Sequence, residues 1–119
     1  MNKVVVYGSL KSGHHNYNHY LLPYIGTEEV KFLGYERLKG FMMWRVCDWY
    51  PAVCRGNSYI NVEVYEVSEE VERNLDLLEG IPDFYQKEVV NTSFGEASIY
   101  LMDHRHFERE RFIVDGDWK

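Results

Sequence analysis

Two stretches of the chain carry residue types that could do chemistry. The first is Leu75-Asp76-Leu77-Leu78-Glu79-Gly80. The spacing of Val71, Leu75 and Leu78 predicts a helix opening after Ser68 and closing at Gly80. Glu79 then stands in the last turn, where the negative end of the helix dipole disfavours a carboxylate and Lys or Arg would be the ordinary residue. At roughly 100° per residue it lies about 40° from Leu75 and about 80° from Val71, at the border of the buried stripe. Burial and the dipole would both raise its pKa. A carboxyl raised in this way suits general acid–base work near neutral pH. The position also suits a surface glutamate whose stem lies along the stripe. The second stretch is Val4-Val5-Val6-Tyr7-Gly8-Ser9-Leu10. A buried strand that breaks at Gly and Ser can turn successive backbone N–H groups to one side, a nest that binds carboxylates or oxyanions. Many such junctions are turns and nothing more.

These two stretches need elements to hold them. Val4 to Tyr7 is a short β-branched run and predicts a buried strand. Gly8 to Gly13 reads as a loop, and Asn16 as the cap of a short helix with Tyr17, Tyr20, Leu21 and Tyr24 on one face. Strands are expected at Val30 to Tyr35 and Arg37 to Met43, with a loop from Trp44 to Gly56. Residues 59–67 alternate, Ile60, Val62 and Val64 against Tyr59, Asn61, Glu63 and Tyr65, which predicts a half-buried strand. Ser68 is the expected N-cap, with Glu69 and Glu70 in the first turn. Strands follow at Lys87 to Asn91 and Ala97 to Met102, with a turn at Ser93-Phe94-Gly95. Many strands with one or two helices argue for an α+β fold on a largely antiparallel, barrel-like sheet.

With 119 residues, the length prior gives one domain, 1–119, large enough to bury a core and a pocket. The net charge of −6 argues against a nucleic-acid partner. The apolar runs are far shorter than a membrane span, and the N-terminus lacks a signal-peptide core. Two cysteines, Cys47 and Cys54, are too few for a disulfide framework, which fits a reduced, cytoplasmic protein. The ten tyrosines suit a pocket that holds a polar ligand.

Competing constellations are weaker. His15 and His19 have zinc-ligand spacing on a helix, but neither they nor His14, His104 and His106 complete a metal motif. Cys47 and Cys54 read as buried or incidental thiols. The run from His104 to Arg111 reads as a solvated face. Trp44, Trp49 and Trp118 read as core or pocket wall.

Taken in order, Tyr7-Gly8-Ser9-Leu10 after the first strand, Tyr50-Pro51-Ala52-Val53, Leu75 to Gly80, Tyr85 and Gly116-Asp117-Trp118 resemble the gamma-glutamylcyclotransferase-like (AIG2-like) family. The likeness spans nearly the whole chain and is strongest to the gamma-glutamylamine cyclotransferase branch and its small bacterial relatives. It implies a small mixed barrel of mostly antiparallel strands, with no metal or organic cofactor. It implies a binding loop at Tyr7, Gly8, Ser9 and Leu10, a catalytic Glu79, and Tyr85 on the pocket wall. Where the family often has Arg two residues after that tyrosine, this chain has Lys87, which keeps the charge but not the bidentate fork.

The reaction so implied is intramolecular. The α-amine of a γ-glutamyl group attacks its own γ-carbonyl, giving 5-oxoproline and a free amine. The expected partner is therefore a small γ-glutamyl compound. Two function classes stand: this enzyme, or a non-catalytic ligand-binding module of the same fold. Release of 5-oxoproline separates them.

Overall fold

The computed structural model describes residues 2–7, 21–24, 27–45, 51–79, 86–101 and 112–113, with backbone alone at 22, 45, 51, 78, 79, 112 and 113. Within these, the strands are β1 (Asn2–Val6), β2 (Val30–Arg45), β3 (Pro51–Val67), β4 (Gln86–Thr92), β5 (Gly95–Leu101) and β6 (Phe112–Ile113). The helix α1 spans Glu69–Glu79. The strands form one sheet in the order β4-β5-β1-β3-β2-β6. Only the β1–β5 pairing is parallel. The α+β class expected from the sequence is the class observed.

The valine run of β1 suits a strand because its side chains are stiff at χ1. Its alternation feeds two cores. Val5 and Tyr7 join Ile60, Val62, Val64 and Ile99 inside the curled sheet. Val4 and Val6 join Tyr65, Val67, Val71, Leu75 and Tyr100 beneath α1. The helix starts as expected: Ser68 Oγ accepts the Val71 N–H at 3.2 Å. Ser68 also donates its N–H to the Glu29 carbonyl at 2.8 Å and its hydroxyl to the Glu29 carboxylate.

Four local expectations are corrected. The strand at 59–67 is not half-buried at its end. Tyr65 is buried with Val71 and Leu75 of α1, Glu63 is only 3% exposed, and Tyr65 donates its hydroxyl to Glu63 Oε1 at 2.8 Å. The two strands expected at 30–43 are one. Likewise, of the loop expected from Trp44 to Gly56, residues 44–45 and 51–56 are strand, with 51–55 paired to 41–45 of β2. Finally, Leu21 and Tyr24 do not share a face. Leu21 is fully buried, whereas Tyr24 is exposed just beyond it in a short 3-10 turn, Leu22–Tyr24. The remainder of the expected helix at 16–24, and Cys47, Trp49 and the histidines, lie outside the described residues. Cys54 is buried.

Gly34 and Gly40 mark register shifts of the β2–β3 ladder and have positive φ, 152° and 96°. They act as bulges rather than as strand ends. A Cβ on Gly34 would meet Phe94 Cζ at 2.6 Å. Gly34→Ala is therefore expected to destabilise by about 1–3 kcal/mol through overpacking. Denaturant unfolding checks this, and Phe94→Leu in the same background should recover part of the loss.

Among the described residues the sheet does not close into the expected barrel. β2 and β4 face each other without a ladder among the described residues. Side chains bridge the gap instead: Glu36 on β2 accepts the N–H at 2.5 Å and the hydroxyl at 2.8 Å of Ser93, just after β4, and Arg55 on β3 pairs with Glu88 on β4 at 3.0 Å. Between these bridges lies an open cleft of about 620 Å³, bounded by Leu38 and Phe41 on one side and Val90 on the other.

Candidate functional site

Of the residues singled out in the sequence, Tyr7 follows β1 directly and Glu79 is the last residue of α1. Gly8, Ser9, Leu10 and Tyr85 lie outside the described residues, as does the Glu79 side chain. What is described is the scaffold on which they are threaded, and it converges. Tyr7 is buried and donates its hydroxyl to the Tyr100 carbonyl at 2.5 Å. Tyr100 on β5 in turn donates its own hydroxyl to Asp76 Oδ1 at 2.7 Å. Asp76 on α1 accepts from Lys87 Nζ on β4 at 3.1 Å. Lys87 also donates to Glu72 Oε2, and Asn2 Nδ2 donates to Glu72 Oε1 at 2.6 Å.

This network joins the end of β1, the last turns of α1, the start of β4 and the end of β5. Each anchor neighbours a candidate in the chain. Tyr7 precedes Gly8, Asp76 stands three residues before Glu79, and Lys87 follows Tyr85 by two. Tyr7 packs in the core inside the sheet, and its hydroxyl ties the residue after β1 to the main chain of β5.

Asp76, Glu72 and Tyr100 are parts that sequence reasoning missed. The available signal was the spacing of Glu72, Asp76 and Glu79 at i, i+4 and i+7, which puts three carboxylates on one helical face. No basic residue stands in the last turn of α1.

Lys87 answers that charge from across the gap. Its side chain is 24% exposed, and its ammonium lies 5.9 Å from the centre of the Tyr100 ring. Burial by itself would lower the Lys87 pKa, but hydrogen bonds to Glu72 and Asp76 and their attraction outweigh it and hold the ammonium above its ordinary 10.5. A folded-state pKa above the unfolded value adds stability that is complete below the unfolded value and is lost as pH rises through the folded one. The stability difference between wild type and Lys87→Met should therefore be constant from pH 7 to 9 and shrink above about pH 10.5. Denaturant midpoints measured across that range check it.

The arrangement ties the residue that follows β1 to the last turns of α1 and the start of β4. Its fold is that of known proteins. It aligns with the crystal structure of an AIG2-like protein from Mus musculus at a TM-score of 0.79, with 21% identity, over 100% of this chain and 88% of that one. It aligns with the crystal structure of an uncharacterised protein from Pyrococcus horikoshii at 0.77, with 28% identity, over 98% of this chain and 89% of that one. Residues 4–119 match the family described as gamma-glutamyl cyclotransferase, AIG2-like, and the chain belongs to that family. A Vibrio cholerae relative, provisionally named a gamma-glutamylcyclotransferase, is 31% identical over 116 residues, 97% of this chain and 93% of its own. A Methanocaldococcus jannaschii relative with the same provisional name is 36% identical over 92 residues, 76% of this chain and 72% of its own.

Proposed function

We propose that the protein is a gamma-glutamylcyclotransferase-type enzyme that cyclises a γ-glutamyl amide to 5-oxoproline and releases the amine, with Glu79 as general base. Family membership supports the reaction class. The observation that carries the site assignment is the Tyr7–Tyr100–Asp76–Lys87 network, which ties together the chain ends next to Gly8, Glu79 and Tyr85.

The substrate arrives with an α-ammonium. Glu79 takes a proton from it, and the nitrogen attacks the γ-carbonyl carbon to form the ring C–N bond. Backbone N–H groups of Gly8, Ser9 and Leu10 hold the glutamyl oxygens, including the oxyanion, where losing one donor typically costs about 10²–10³ in rate. Tyr85 forms pocket wall. As the tetrahedral intermediate collapses, the bond from the γ-carbon to the leaving nitrogen breaks. Two of the three ammonium protons end on the leaving amine and one stays on the lactam nitrogen, so Glu79 is regenerated. Ring closure is intramolecular, and good orientation alone is worth roughly 7–11 kcal/mol. This chemistry asks for no cofactor. The ligand is a small γ-glutamyl compound, and a nucleic-acid partner is not part of this reading. No helix among the described residues is long and apolar enough to cross a membrane.

The test is mass-spectrometric detection of 5-oxoproline from a panel of γ-glutamyl amines and peptides. Release supports the enzyme, and the panel then identifies the amine. Saturable binding of γ-glutamyl compounds with no release would favour a binding module instead.

A further inference from the structure

We infer that Lys87 is a positioning residue for Glu79: its ammonium clasps Glu72 and Asp76 and so fixes the last turn of α1 against the start of β4. The inference rests on the proposed role of Glu79 and adds a specific device to it.

The connection from α1 to β4, residues 80–85, carries Tyr85 and is flanked by Glu79. Lys87 Nζ lies 3.0 Å from Asp76 Oδ1 and also bonds Glu72, so the two sides of the connection are pinned at their base. Glu72 is held from the other side by Asn2, and Asp76 by Tyr100. Both carboxylates therefore have fixed orientations, and Lys87 is bound to a rigid surface rather than to two mobile side chains.

The electrostatics give the cation a second task. Carboxylates at i and i+4 repel, and a third carboxylate at i+7 meets the negative end of the helix dipole. The last turn of α1 is thus the part of the helix with the strongest tendency to fray. A cation between Glu72 and Asp76 opposes that tendency. The pair is only partly exposed, at 24% for Lys87 and 10% for Glu72, so water screens it less than a surface bridge. A fixed last turn is what a base needs, because a misplacement of about 1 Å at a reacting group can cost on the order of 10²-fold in rate.

The test compares wild type with Lys87→Met, Lys87→Arg and the milder Asp76→Asn, which leaves the Glu72 pair in place. Two readouts are taken on the full chain well below the melting temperature. One is steady-state 5-oxoproline release from the best substrate of the panel, corrected for folded fraction. The expected result for Lys87→Met is a kcat loss of about 10–100-fold with KM nearly unchanged, largely restored in Lys87→Arg and smaller in Asp76→Asn. The other is amide hydrogen exchange. Leu77 to Glu79 should exchange about tenfold faster in Lys87→Met, while Val62 to Val64 in β3 stay as in wild type. Unchanged exchange at the end of α1 overturns the clasp, as does an unchanged kcat where Glu79→Gln is inactive. A loss of kcat that Lys87→Arg does not recover overturns it too, since the charge would then not be what matters. If Glu79→Gln turns over like wild type, or no substrate reacts, the reading of Glu79 fails. The exchange arm then still decides whether Lys87 holds the helix end.

Discussion

Glu79→Gln is expected to lower 5-oxoproline release by about 10²–10⁴-fold, the usual worth of a positioned general base. The amide keeps the shape and hydrogen-bonding reach of the carboxyl but cannot take a proton. Binding of a γ-glutamyl compound should persist, so the loss should fall on kcat rather than on KM. Folding should not suffer. Glu79 adds a negative charge to a helix end that already carries Asp76 and Glu72 on the same face, with no basic residue in the last turn. Removing that charge relieves repulsion with the helix dipole, so the variant should be as stable as wild type or slightly more so. Side-by-side assays of turnover and denaturant midpoint check both halves. Wild-type turnover in the variant would remove Glu79 from the chemistry. Loss of turnover together with loss of fold would leave it a structural residue.

The parts of this molecule that were legible in the sequence are those where a single local signal decides the outcome. The valine run of β1 and the cap at Ser68 are of this kind, as is the inward set Ile60, Val62 and Val64. The β2–β3 hairpin was less legible. The loose pattern split the strand at Glu36, and gave no sign that Gly34 and Gly40, inside the two expected pieces, each absorb a bulge of one continuous strand. Whether glycine ends a strand or kinks it depends on the partner strand, and a local window does not contain the partner. The same limit hid the burial of Tyr65, which packs against Val71 and Leu75 of α1 on the outer face of β3. At the candidate site, Glu79 drew notice because a carboxylate at a helix C-terminus breaks a local rule. Tyr100 breaks none, and Asp76 offered only its spacing from Glu72 and Glu79. They matter through contacts between residues 24 positions apart, and a helix periodicity cannot announce such pairs. Lys87 stood out only as a departure from a family pattern. Its part in the network became visible once β4 was laid beside α1.

Leu75→Ala is expected to cost about 2–5 kcal/mol, the range for a fully buried leucine whose removal leaves a cavity. Leu75 is fully buried among Val4, Val6, Val71, Tyr65 and Tyr100. For a domain of this length that is a large share of a total stability on the order of 5–15 kcal/mol. Leu77 is the internal control. It stands two residues away on the same helix but is 76% exposed, so Leu77→Ala should fall within about 0.5 kcal/mol of wild type. Urea unfolding measures both, with equal m values required for the comparison. The contrast bears on function because Leu75 lies one position before Asp76 and four before Glu79. The stripe of Val71 and Leu75 fixes which way α1 is rolled, and hence which face carries Glu72 and Asp76 toward Lys87. A roll of the helix by one residue would turn that acidic face by about 100° and break the contacts to Lys87 and Tyr100. Equal losses at the two leucines would mean that α1 does not dock through this stripe, and the assignment of Glu79 to the common end of β1, β4 and β5 would fall with it.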